Sequence, residues 1–499
     1  MKNTLFGHGL RAGLAALALA LPLQALAETT VRVGTVRSGA FGPIEVHRSV
    51  GDYATLVANQ GAVFEQLVGV KPEGGTYLLL AESIEPEDET ATRWIIKLKQ
   101  GVKFHDGKEM VAADVIYSIK RMTGEGMIPA GMIGTLTAIE EVDKYTVRLV
   151  LPNPKSWVVE SLSDPYAAIV EDGYTPDKPP VGTGPMKIVD IQTQQSITLE
   201  KFADYHDTPA GSDKVTVQFF SESQAGLNAL QDDQIDMLMD FDAALADEIE
   251  GNEALKLYNS PTGMSYPIQM RTDVAPFSDP RLRQALRLVV DRDMVVTNAF
   301  NGYATRANDL YARSDAHFRT DLERTRDVEA ARRLVEEAGL AGTTLKLVMQ
   351  GDPAVGLVLA ENAREIGLEI EVQQLDSASF FNEEYMERPF FGGDYWPPMS
   401  FLQTSSMVDV PHASFGQIRW QDDEYFGLWE IANATLDPAV LQDSLSKLQQ
   451  ILFDRGAWVI PAYPNELILM RADLEGMPPS DIWGRAGYRY LGRLHRIAQ

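Results

Sequence analysis

The chain has 499 residues, 45% of them hydrophobic and 23% charged, an ordinary globular composition with length for about two to four domains. It carries 44 Lys and Arg against 71 Asp and Glu, a net charge of −27, so its surface repels phosphate backbones and anionic lipid headgroups, which speaks against a nucleic-acid partner. The absence of cysteine rules out disulfides, thiolate metal sites and a lipid-modified cysteine. The acidity serves solubility or the attraction of a cationic ligand.

The chain opens with Lys2 and Arg11, an apolar run over 12–21, a break at Pro22 and the small-residue end Ala25-Leu26-Ala27. This is the pattern of a secretory signal peptide removed after Ala27, and the run is shorter than the ~18 apolar residues a membrane span needs. The alternative is an uncleaved anchor. With no lipid-modified cysteine, the processed chain is expected to diffuse freely in a Gram-negative periplasm.

Alternating apolar residues predict strands over 30–36, 93–98, 146–151 and 195–200, with a helical stretch around 62–67. Asp279-Pro280 is an N-cap followed by proline at the first helical position, and Leu282, Ala285, Leu286, Val289 and Val290 then share one face. Asp327 caps a second amphipathic helix that Gly339 stops. A strand over 344–349, a helix over 353–366 and a strand over 368–375 predict a β-α-β unit. Asp437-Pro438 repeats the capping chemistry for a helix running to about Gly456, followed by a strand-like 457–460. The chain is therefore α/β, with open sheets whose strand ends are the natural place for a ligand.

Residues 94–121 combine Trp94-x-x-x-Leu98, a turn at Gly101, a short strand Val102-Lys103-Phe104, a turn at Asp106-Gly107 and a helix capped near Ala113-Asp114. With Val181-Gly182-Thr183-Gly184-Pro185, the segments 229–236 and 275–286, and Gly393-Asp394-Tyr395-Trp396-Pro397-Pro398-Met399-Ser400-Phe401-Leu402, this resembles the family 5 extracellular solute-binding proteins. That class includes dipeptide, oligopeptide, nickel and opine binders. The resemblance implies a two-lobed periplasmic binding protein fold of class C, with a hinge between lobes and an extra N-terminal subdomain. The first lobe is expected to comprise 28–267 plus 471–499, with 56–181 as the subdomain, and the second lobe 268–470. The implied partners are a small-molecule or peptide ligand and the permease subunits of an ABC importer, with the binding protein itself a monomer.

The resemblance also places the ligand chemistry. Asp394 stands where peptide-binding members hold the ligand's ammonium group, and a carboxylate in a water-poor cleft suits that task; the alternative is a turn cap before Pro397. Tyr395, Trp396 and Phe41 form an aromatic wall or ordinary core. Arg271 replaces the asparagine frequent in the family and either clamps a ligand carboxylate or pairs with Asp273 or another acid at the hinge, the second reading being preferred. The partner for a ligand carboxylate is not placed.

Histidines 8, 47, 105, 206, 317, 412 and 495 are scattered without metal-ligand spacing, and His105 belongs to a scaffold turn. No catalytic motif, metal site or cofactor motif is present, although paired carboxylates of a hydrolase are invisible in sequence. The expected function is capture of an amine-bearing solute, foremost a di- or oligopeptide, for import without chemical change. Polyamines, opines and chelated nickel are the alternatives.

Overall fold

The structure, a computed structural model, describes Met1 and residues 28–36, 42–48, 53–127, 132–382, 384–411 and 413–497. The expected signal peptide lies outside these residues. The alternation of Thr30–Val36 buries Val31 and Val33, and this strand pairs in parallel with Lys214–Phe220 on one side and Met237–Met239 on the other. They form the centre of an eight-stranded sheet with Met186–Gln192, Ser196–Lys201, Leu255–Pro261 and Ala462–Arg471, while Ala304–Arg306 pairs off the last of these. This sheet carries the first lobe.

The second lobe is built on a five-stranded sheet of Glu369–Leu375, Thr344–Gln350, Phe390–Gly392, Ile268–Met270 and Trp458–Val459, in that order. Its first two strands run parallel and are joined by the helix Ala354–Arg364, the predicted β-α-β unit. The Asp caps form as their chemistry dictates. Asp279 accepts from Arg281 N–H, Asp327 from Ala330 N–H and Asp437 from Ala439 N–H, starting helices Pro280–Val289, Val328–Glu337 and Pro438–Arg455. Gly339, at φ +69°, ends the second of these.

An outer subdomain rests on a four-stranded antiparallel sheet, Ala81–Pro86, Arg93–Leu98, Thr146–Val150 and Ala138–Asp143, covered by the helix Ala112–Met122. Within the 94–121 segment, 102–104 makes one bridge, Lys103 to Glu109, rather than a strand. Asp114 sits three residues after the N-cap Val111 and accepts its N–H at 2.9 Å. His105 is structural: Gly182 N–H donates to its Nδ1 at 3.3 Å and its Nε2 lies 3.0 Å from Gly184 O. Burial pushes its pKa down to about 4, so the ring stays neutral.

Two expectations are corrected. Residues 62–67 are not helical; the helix precedes them, Tyr53–Asn59, and the segment is an irregular inner layer of turn and bends with one bridge, Gln66 to Ala168. Its apolar residues are buried on all sides, and its backbone is satisfied by Gly184 N–H on Val63 O, Met186 N–H on Ala62 O and Ile169 N–H on Glu65 O. That close approach explains the glycines of the 181–185 motif: a Cβ on Gly182 would lie 2.0 Å from Val63 O, and one on Gly184 2.5 Å from Ala62 O. The boundary expected at 470 also shifts. Ala462–Arg471 pairs with Met237–Met239 and Leu255–Pro261, and buries Ile468 and Met470 in the first lobe's core, so the chain returns to the first sheet before this strand.

Candidate functional site

A cavity of about 560 Å³ lies between the lobes. Its walls come from the inner layer and outer subdomain (Gln60, Asp164, Tyr166), from the second lobe (394–399, Gln403, Met407), and from the C-terminal tail (Trp483, Arg485, Arg489).

The second-lobe wall is set by strand Phe390–Gly392 at the centre of its sheet. Gly393, at φ +87°, turns the chain at the strand's carboxyl end, and a Cβ there would meet Gln350 O at 2.5 Å. The turn delivers Asp394 to the cavity, where an open α/β sheet places ligand chemistry. Ser265 and Trp396 exchange backbone hydrogen bonds, at 3.2 and 2.9 Å, so this wall is tied directly to the segment that crosses between lobes.

Asp394 is 3% exposed. Gln269 Nε2 donates to both carboxylate oxygens at 3.1 Å, and Tyr385 OH and Trp396 Nε1 donate to Oδ2 at 2.9 and 3.1 Å. Gln417 Nε2 extends the chain by donating to Tyr385 OH at 2.8 Å. All these donors are neutral, and among the described residues no Lys, Arg or His forms a salt bridge with Asp394. Burial therefore raises its pKa, and the three side-chain bonds oppose this without cancelling it. Of the side-chain donors, Oδ2 takes three bonds and Oδ1 one, which leaves Oδ1 with acceptor capacity. The arrangement suits an incoming cation that carries N–H donors.

Tyr395 is half-buried against Tyr266, with the Arg485 guanidinium 5.2 Å over its ring. Trp396 lines the cavity beside Tyr395, packs on Trp458 and Phe415, and also donates to Asp394. Arg271 does not line the cavity. It bonds Asp273 through Nε and Nη2, both at 2.9 Å, and Glu387 through Nη1 at 2.7 Å, so it is held by hinge-side acids and not offered to a ligand. Phe41 lies outside the described residues.

Several residues that line the cavity or hold Asp394 from behind its wall carried no sequence signal of their own. Gln269, Tyr385 and Gln417 come from three separate segments and converge only in the fold. Arg485 and Arg489, one helical turn apart in the tail, face the cavity from the first lobe; Arg489 donates to Gly484 O at 2.8 Å and lies 3.2 Å from Asp481. Asp164 is the cavity's second carboxylate. Burial raises its pKa to about 6, against the pull of Tyr166 N–H and Arg485. The remaining lining is largely apolar and adaptable, with Met132, Met399, Met407, Phe381 and Phe415. A second cavity of about 630 Å³ adjoins it through Gln60, Val70, Ser163, Pro165 and Arg489. Among the described residues, no cluster of three His, Cys, Asp or Glu is placed to hold a metal ion, and no helix is long and apolar enough to cross a membrane.

Two lobes on separate sheets, joined by crossing segments and enclosing a cavity, define a two-lobed periplasmic binding protein. The sequence matches the family described as bacterial extracellular solute-binding proteins, family 5, over residues 76–407. The match spans more than half of the chain, which belongs to this family of substrate-binding components of ABC importers. The glutathione-binding protein GsiB of Escherichia coli K12 is 25% identical over 502 residues, covering 92% of this chain and 94% of the relative. Its counterpart from Pectobacterium atrosepticum is 25% identical over 429 residues, 78% and 82% of the two chains. These relatives are solute-binding proteins, not enzymes.

Solved structures share the fold. The binding protein AgaA of A. tumefaciens R10, in complex with agropinic acid, superposes with a TM-score of 0.78 at 21% identity over 94% of this chain and 99% of that one. DppA from Helicobacter pylori, in complex with the peptide STSA, gives 0.77 at 18% identity over 94% and 98%. NikA from Staphylococcus aureus, in complex with Ni(L-His)2, gives 0.75 at 17% identity over 94% and 100%.

Proposed function

We propose that this protein captures a peptide-like solute with a free amino group and presents it, chemically unchanged, to the permease of an ABC importer. The observation that carries this reading is Asp394, a buried carboxylate on the cavity wall with only neutral donors around it and acceptor capacity left on Oδ1. The ligand's ammonium group would complete the ion pair. Its apolar part would lie against Tyr395 and the methionines, and its carboxylate would face Arg485 and Arg489, which supply the basic partner the sequence left unplaced. GsiB binds glutathione and DppA was solved with a peptide, both ligands of this chemistry. On this reading the leader 1–27 exports the chain, and the free protein works as a periplasmic monomer.

A polyamine is the second reading, favoured by Asp164 as a second cavity carboxylate. Native mass spectrometry of the purified protein identifies any co-purified ligand. Calorimetry with a tripeptide, its N-acetylated form and spermidine then separates the readings. Loss of binding on acetylation supports the amine anchor, and equal affinity for the acetylated peptide sinks it. Tight spermidine binding with none for the tripeptide selects the polyamine reading.

A further inference from the structure

The two walls of the cleft also meet outside the cavity. Helix Asp423–Ala434 of the second lobe ends against residues 154–157 of the outer subdomain. A helix leaves its last carbonyls without intrahelical partners. Here the opposite wall supplies them: Ser156 N–H donates to Asn433 O at 2.7 Å, and Ser156 Oγ donates to Ala432 O at 2.8 Å.

The Asn433 side chain is used at both ends. Trp157 Nε1 donates to its Oδ1 at 2.8 Å, and its Nδ2 donates to Pro154 O at 2.9 Å. The Trp157 ring, 4% exposed, belongs to the same apolar cluster as Tyr311, Tyr425 and Leu445 of the second lobe, and Lys155 Nζ covers it at 3.9 Å. Nearby, Gln403 Nε2 donates to Glu160 O at 2.9 Å across the same divide. None of Ser156, Trp157 and Asn433 lines the 560 Å³ cavity.

We propose that this contact is a ligand-independent latch. Residues 154–157 cap the second-lobe helix in trans and hold the lobes together, so the empty protein populates the closed form. Asn433, Ser156 and Trp157 then act as positioning residues, raising affinity and slowing ligand release without touching the ligand, because a ligand binds more tightly when its binding-competent state is already populated. The inference does not depend on which ligand the cavity takes.

The test needs no ligand. The chain has no cysteine, so Glu141→Cys on the outer subdomain and Glu361→Cys on the second lobe, both exposed, accept a dye pair. Single-molecule energy transfer on the processed full-length chain, stripped of ligand by unfolding and refolding, reads the closed and open populations. A closed population is expected in the otherwise unaltered protein. Asn433→Ala removes two side-chain bonds and should lower the closed-to-open ratio by about tenfold or more, while Trp157→Phe keeps an aromatic ring, if a smaller one, loses the indole donor and should lower it by about threefold to tenfold. An empty protein that occupies only the open distance overturns the latch. So do variants whose distributions match the parent's, and if Asn433→Ala does not fold, Trp157→Phe decides alone.

Discussion

Asp309 and Asp394 are both buried carboxylates of the second lobe, stabilised by opposite means. Asp309 sits among three guanidiniums, Arg292 at 2.7 Å, Arg324 at 3.0 Å and Arg287 at 3.4 Å, and also accepts Ile460 N–H at 3.1 Å. Burial by itself would raise its pKa, but these cations outweigh it and hold the carboxyl below the usual range. Asp394 has no such cation, and burial prevails. The fold completes one carboxylate with cations of its own and leaves the other on a cavity wall with neutral donors alone. A buried acid is thus structural where the chain supplies its counter-charge, and a binding-site candidate where a cavity stands in that place.

The largest effect expected breaks the first member of the pair. Asp309→Ala strands three buried arginines and should cost about 3–5 kcal/mol in denaturant unfolding. Asp394→Asn should reverse the pattern, lowering affinity for an amine ligand by about 2–5 kcal/mol in calorimetry. It should leave the thermal midpoint unchanged or higher, since it removes a carboxylate that burial disfavours. The affinity of the unaltered protein should fall as pH drops through the raised pKa of Asp394, because the protonated acid no longer pairs with an ammonium group.

Asp409 tests the same physics away from the cavity. Burial raises its pKa to about 7, against the bonds from Tyr311 and Tyr425. The unfolded chain releases this proton near the ordinary value while the folded chain keeps it, so the group stabilises the fold at low pH and this contribution is lost as pH rises towards 7. Relative to Asp409→Asn, the unaltered protein should therefore be more stable at pH 5 than at pH 8 by urea unfolding. The smallest effect belongs to Trp396→Phe, which keeps a smaller aromatic ring but removes one donor to Asp394 and should weaken amine binding by about threefold to tenfold.

Much of the scaffold was legible because its causes are local. The Asp-Pro pairs at 279–280 and 437–438 start helices through bonds made within three residues, and the alternation of 30–36 and 344–349 needs only a buried face. Residues 62–67 were misread because a short run buried on every side, Glu65 and Gln66 included, carries no period that separates helix from irregular chain. Asp394 was legible through the family motif, and the pairing of Arg271 with Asp273 through its two-residue spacing. Glu387, the other acid on Arg271, lies 116 residues away and was not.

By itself, then, the sequence determined the α/β class, the main helix caps, the family and the position of the candidate carboxylate Asp394, since each is written in residues close together or in a motif. Only the tertiary structure decided what that carboxylate meets. Gln269, Tyr385, Gln417, Arg485 and Arg489 reach the site from separate segments, and the trans-capping of helix Asp423–Ala434 by residues 154–157 joins parts of the chain far apart in order. Such convergence is set by how the sheets pack and where the chain crosses between lobes, which no local pattern of residues encodes.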